Sequence, residues 1–132
     1  MDRAAKPVIL VVEDDPDLGK ILSLQLNSEG FNTIVAMDGA DAYTQIQQIQ
    51  PACVILDLMM PVMDGFSFLK RIRSLNHTVD VPVIVLTASQ DDRYRRKSHQ
   101  YLADMFMKKP YDLQELTVVV RNLIEAAKTS TK

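Results

Sequence analysis

The chemistry available to this sequence is concentrated in a few residues that each close a short apolar run. Val8-Ile9-Leu10-Val11-Val12 is followed by Glu13-Asp14-Asp15, and Cys53-Val54-Ile55-Leu56 by Asp57. Pro82-Val83-Ile84-Val85-Leu86 is followed by Thr87, and Met105-Phe106-Met107 by Lys108-Lys109-Pro110. If the runs are parallel strands, their carboxyl ends share one edge, where open α/β sheets place their ligands. That edge gathers several carboxylates, one hydroxyl and one ammonium. Clustered carboxylates repel one another and raise each other's pKa values unless something compensates. A hard divalent cation does so, and a few carboxylates completed by waters are the ligand set that suits Mg²⁺.

The elements that must position these groups alternate in type. The runs at 8–12, 53–56 and 82–86 are continuous in the manner of strands buried on both faces. Thr33-Ile34-Val35-Ala36 and Met105-Phe106-Met107 read as two further strands. Between them, Leu18, Ile21, Leu22 and Leu26 recur at helical spacing, with Gly30 as a stop signal. Residues 40–48 form a short helix, and Phe66, Leu69, Ile72 and Leu75 make the stripe of another. The last helix runs over residues 112–127 with Asp112 as its cap. Leu113, Leu116, Val120, Leu123, Ile124 and Ala127 form its buried stripe and Val118 its opposite face. Strand–helix alternation argues for a parallel sheet covered on both faces. Residues 91–102 break the pattern. Arg93, Arg95, Arg96, Lys97, Ser98, His99 and Gln100 leave this helix only Tyr94, Tyr101 and Leu102 to bury, so it should pack loosely. His77 reads as a solvated loop residue and Cys53 as an inert core thiol.

At 132 residues the chain has room for one domain with one core. It is 47% hydrophobic and 24% charged, the composition of a folded protein rather than a disordered tail. A net charge of −2 supplies no basic field for nucleic acid or an anionic membrane surface. No apolar run approaches the ~20 residues that span a bilayer. Met1-Asp2-Arg3-Ala4-Ala5-Lys6-Pro7 lacks the apolar core of a signal peptide. A single cysteine fits a reducing compartment, and the expected location is cytoplasmic.

Val11-Val12-Glu13-Asp14-Asp15-Pro16, Asp57-Leu58-Met59-Met60-Pro61-Val62-Met63-Asp64-Gly65, Thr87-Ala88 and Lys109-Pro110-Tyr111 together resemble the receiver domain of two-component response regulators. The resemblance covers residues 7–127, leaving 1–6 as an extension and 128–132 as a tail or the start of a linker. It implies a flavodoxin-like (βα)5 fold, a doubly wound parallel five-stranded sheet in the order 2-1-3-4-5. It implies that Asp57 accepts a phosphoryl group from a phosphohistidine on a sensor histidine kinase or a histidine phosphotransfer protein. Mg²⁺, with Mn²⁺ as an alternative, would be held by Asp14, Asp57 and the backbone carbonyl of Met59, with Glu13 acting mostly through water. Thr87 would donate a hydrogen bond to the phosphoryl group and Lys109 would contact it, ahead of a cis bond to Pro110. Pro61 and Gly65 would shape the backbone beyond the site, Gly65 by permitting a tight turn.

The same resemblance makes the chain a signalling switch rather than a turnover enzyme. Thr87 and Phe106 would move together and alter the surface of the 91–102 helix, the fifth strand and the last helix, near Val118. That surface would address an output domain or partner protein, or a second copy in a phosphorylation-dependent homodimer, with no nucleic acid contact or membrane contact of its own. Met59 and Ser89 stand where the family controls access of water to the acyl phosphate, and neither is a good base, so self-dephosphorylation should be slow. The sequence departs from the family at Phe106, which lacks tyrosine's hydroxyl, at Leu102-Ala103, where Gly-Ala is usual, and at His99. An alternative is a pseudo-receiver that binds or dimerises without phosphorylation, which is expected to lack Asp57, Lys109 or the acid pair. A haloacid-dehalogenase-type phosphatase would carry a second Asp at position 59. A flavodoxin-like electron carrier would need a phosphate-cradling loop where Glu13-Asp14-Asp15 stands.

Overall fold

The apolar runs become the strands of one parallel sheet. The computed structural model describes residues 6–58, 65–88, 96, 100 and 102–130. Its elements are β1 (Val8–Val12), α1 (Pro16–Ser28), β2 (Asn32–Ala36), α2 (Gly39–Ile46), β3 (Cys53–Asp57), α3 (Gly65–Ile72), β4 (Val83–Thr87), β5 (Met105–Lys108) and a last helix, Leu113–Ser130. The strand order is β2-β1-β3-β4-β5, as expected, and every pairing is parallel. β3 and β4 are buried at every residue, whereas β5, at the edge, is half-buried in the middle and exposed at both ends.

Side chains alternate across the sheet with the two-residue period of a strand and so divide the core in two. Leu10, Val12, Val54, Leu56, Val83 and Val85 face α2 and α3, where they meet Ala42, Ile46, Phe68, Leu69 and Ile72. Ile9, Val11, Cys53, Ile55, Ile84 and Leu86 face α1 and the last helix, where they meet Leu22, Leu26, Leu116, Val120 and Ile124.

The helices start where the sequence supplies caps. The Asp15 carboxylate accepts from the amides of Asp17 and Leu18, with Pro16 in the first turn. Asp38 accepts from the Asp41 amide, and Asp41 reaches back to the Met37 amide. Asp112 accepts from the amides of Gln114 and Glu115, as the sequence suggests, and the helix it starts runs to Ser130 rather than ending near Ala127. Gly30 takes a φ of 97°, the left-handed conformation that ends α1.

Several expectations are corrected by tertiary contacts. Ile21 belongs to the apolar stripe by spacing but is 47% exposed. Phe68, left out of the α3 stripe, is fully buried beside Leu69. His77 is exposed in a turn, as expected, and is tethered as well: its Nε2 lies 2.7 Å from the Ile46 carbonyl, and its own carbonyl accepts from the Gln50 amide group. Met59, Pro61 and Ser89 lie outside the described residues, as does the expected 91–102 helix apart from Arg96 and Gln100, which are helical and exposed, and Leu102. Among the described residues no helix is long and apolar enough to cross a membrane.

Candidate functional site

At the carboxyl edge of the sheet, backbone continuity places each polar group. The Glu13 amide donates to the Ala36 carbonyl at 3.0 Å, extending the β1–β2 ladder one residue past β1 and carrying the Glu13 side chain inward. Asp57 is the last residue of β3. Glu13 is 2% and Asp57 4% exposed, which is unusual for carboxylates. Asp14 is open to solvent, and a carboxylate oxygen from each of Glu13, Asp14 and Asp57 falls within 4.8 Å of the others. Asp15 stays out of this cluster because its carboxylate caps α1.

Two further strands complete the edge. Thr87 ends β4, fully buried, in register with Lys108. The Lys109 amide donates to the Thr87 carbonyl at 2.8 Å, which fixes the chain just before the cis Lys109-Pro110 bond. From there the Lys109 ammonium reaches Asp57 Oδ2 at 3.0 Å and Glu13 Oε1 at 3.5 Å. The structure therefore brings Glu13, Asp14, Asp57, Thr87 and Lys109 to one edge. Phe106 lies away from it on β5, half-buried against the α2–α3 side of the core.

Gly65 acts by close approach, and the turn expected before it falls on residues outside those described. A Cβ there would lie 2.7 Å from the Leu58 Cα, and the Gly65 amide faces the Leu58 carbonyl at 3.3 Å. Only glycine lets α3 begin directly against the residue that follows Asp57.

The electrostatics are those of an under-compensated acidic pocket. Burial first, and the negative charge of Asp57 second, push the Glu13 carboxyl up to about 7 from an ordinary 4.5. The Asp15 amide, 3.2 Å from Glu13 Oε2, and Lys109 pull the other way. Burial lowers the Lys109 pKa, but its hydrogen bond to Asp57 and the charges of Asp57 and Glu13 outweigh this and leave it raised. Tyr111 is raised chiefly by burial, with Lys109 opposing. It belongs to the electrostatic surroundings of the site, and its place two residues after Lys109 was the signal for it.

A divalent cation fits these donors. Among the described residues Glu13 Oε1 is buried with no hydrogen-bond partner beyond its 3.5 Å ion pair to Lys109, and it belongs to the three-carboxylate cluster. Among those groups one ammonium faces three acids, so a second positive charge would relieve the repulsion and give Glu13 Oε1 a closer partner than the ammonium.

Comparisons with known proteins agree with this geometry. The family model of the response regulator receiver domain matches residues 9–121. The chain is 35% identical over 118 residues to the DNA-binding dual master transcriptional regulator RpaA of Synechocystis, covering 89% of this chain and 49% of that protein. It spans about half the length of several curated relatives it matches. Among solved structures, the receiver domain of the Francisella response regulator 1452 superposes with a TM-score of 0.85 at 30% identity, covering 92% of this chain and 99% of that one. The receiver domain of the Pseudomonas aeruginosa sensor histidine kinase PA1611 superposes with a TM-score of 0.83 at 29% identity, over 92% of this chain and 99% of that one. It holds a magnesium ion coordinated in its active-site cleft.

Proposed function

The chain belongs to the response regulator receiver domain family, and on that premise we propose that it is the phosphoacceptor switch of a cytoplasmic two-component phosphorelay, with Asp57 as the acceptor. The observation that carries this reading is the buried Asp57 carboxylate held 3.0 Å from the Lys109 ammonium, beside Glu13 and Asp14.

In this reading an Asp57 carboxylate oxygen attacks the phosphorus of a partner's phosphohistidine. The new P–O bond forms as the P–N bond breaks, and the electron pair and a proton end on the departing imidazole. In-line displacement puts charge on the equatorial oxygens, and catalysis consists of orienting the groups and compensating that charge. Lys109 shifts from the Asp57 oxygen to a phosphoryl oxygen, and the Thr87 hydroxyl donates to another. Asp14 and Asp57 would hold Mg²⁺ directly, with Glu13 acting through water and the backbone carbonyl of Met59, outside the described residues, as a further ligand. When bound, the cation supplies the positive charge that lets an anionic donor approach a wall of acids. The phosphoryl group adds about one to two negative charges, and Thr87 and Phe106 pass the change to β5 and the last helix, where Val118 stands 53% exposed. The output domain or partner protein reads it there. Slow self-dephosphorylation follows from Met59 and Ser89, and Met59→Asn is expected to shorten the adduct's lifetime.

Intact-mass measurement after incubation with acetyl phosphate, with and without Mg²⁺, tests this. One phosphoryl adduct that needs Mg²⁺ and is absent from Asp57→Ala is expected. No adduct from a folded, Mg²⁺-binding chain would favour a non-phosphorylated platform, or a receiver that takes phosphate only from its own kinase. Absence of Mg²⁺ binding would overturn the acid-pocket assignment.

A further inference from the structure

The ends of β5 are anchored by different chemistry. At its start the Asp104 amide donates to the Val83 carbonyl at 2.9 Å, and the Asp104 carboxylate accepts from the Val83 amide at 2.8 Å. Arg73, just beyond α3, closes over this turn with a side chain only 10% exposed. One of its terminal nitrogens donates to the carbonyls of Thr78, Val79 and Val81 at 3.3, 3.1 and 2.8 Å. The other donates to the Leu102 carbonyl at 2.8 Å and to the Asp104 carboxylate at 3.3 Å. A planar guanidinium can hold so many acceptors at once because its donors form a rigid fork. Leu102 itself sits at a φ of 65°. A branched residue stays in that left-handed conformation only where its surroundings over-determine it, and the clamp is such a surrounding. These contacts contain no group that phosphoryl transfer would alter.

The other end of β5 is tied to the site. Lys109 is held by the Thr87 carbonyl and by ion pairs to Asp57 and Glu13, and those ion pairs change whenever the charge on Asp57 changes. Between the two ends β5 is an edge strand, half-buried only at Phe106 and Met107.

We propose that β5 pivots about the Arg73–Asp104 clamp, so that a change at Asp57 displaces the Lys108–Lys109 end of the strand and fades to nothing at residues 102–105. This rests on the switch reading and refines it. It divides the output surface into a responsive part around Met107 and Lys108 and a silent part at Leu102 and Met105, which are 64% and 38% exposed. A partner protein that distinguishes the two states must then touch the part nearer the site, whereas a partner seated on Leu102 and Met105 binds both states alike.

Backbone amide chemical shifts over residues 102–109 of the full chain test the pivot. They are compared for wild type, Asp57→Asn, and wild type treated with acetyl phosphate and Mg²⁺. The same three comparisons are made in an Arg73→Lys background, which keeps the charge but loses the fork. The expected result is a perturbation largest at residues 107–109 and absent at 102–105, which spreads to 102–105 when Arg73 is replaced. A perturbation uniform along β5 in wild type, or an unchanged gradient in Arg73→Lys, would overturn the proposal. Asp57→Asn alters the Lys109 ion pair without any transfer of phosphate. A gradient there therefore supports the pivot whether or not acetyl phosphate serves as a donor, and an adduct with a flat profile would keep the switch and overturn the pivot. If circular dichroism shows Arg73→Lys unfolded, Asp104→Asn, which removes the carboxylate charge from the clamp, takes its place.

Discussion

Lys109 is the residue on which the proposed reaction turns, since among the described residues it is the cation paired with both buried carboxylates. Replacing it with methionine keeps the bulk and removes the charge. The rate of adduct formation from acetyl phosphate should fall about 100-fold, the scale of losing one preorganised donor to a developing charge. Intact-mass time courses measure this directly, and an unchanged rate would take Lys109 out of the reaction. At this scale the sequence was legible wherever a polar residue ended an apolar run, because a parallel sheet fixes where such residues go. Glu13, Asp57, Thr87 and Lys109 were readable for that reason. Asp15 follows the two site acids directly, but a carboxylate just before Pro16 has another use as a helix cap, and that is the use it has. Arg73 and Asp104 carry no signal in the sequence, because the carbonyls that give them meaning come from Thr78, Val81 and Leu102, and no sequence spacing reveals that meeting.

Elements add constraints that no single residue shows. α3 can start beside the end of β3 only because Gly65 has no side chain. Gly65→Ala should cost about 1–3 kcal/mol, the range for forcing an atom into a packed contact, and should slow phosphorylation by moving Leu58 and Asp57. The urea midpoint and the adduct rate check the two effects together. Leu102→Gly works in the opposite direction. Relief of the left-handed conformation is worth ~1–2 kcal/mol, and the added freedom of the unfolded chain returns ~0.4–1 kcal/mol. The urea midpoint should rise by the equivalent of up to about 1.6 kcal/mol, and a fall would mean that the Leu102 side chain contributes through packing. The strands were legible from continuous apolar runs, and the helices from periodicity. The stripe of α3 was incomplete, because Phe68 is buried by α3 lying close against the sheet, which widens its apolar face beyond a simple i, i+3 line.

For the molecule as a whole, the acidic edge should make stability depend on pH and, through the proposed cation, on metal together. The folded pKa of Glu13, about 7, exceeds its ordinary 4.5. Below the ordinary value both folded and unfolded chains hold the proton, and this residue costs nothing. As pH rises between the two values the unfolded chain ionises first, stability is lost, and the loss is complete above the folded value. Mg²⁺ favours the ionised form, so the rise in melting temperature on adding Mg²⁺ to EDTA-treated protein should be several degrees larger at about pH 8 than at about pH 5. Glu13→Gln should remove most of that difference, and a metal effect independent of pH would mean that Glu13 does not take part. The divided core reaches beyond folding into heredity. Since the sheet stands as a wall between Ile46 and Ile124, Ile46→Val and Ile124→Val, each costing about 0.5–1.5 kcal/mol, should combine to within about 0.5 kcal/mol of their sum. Over generations, a loss on one side can be repaired only by neighbours on that side. Substitutions should therefore compensate one another within a face and drift without regard to the other.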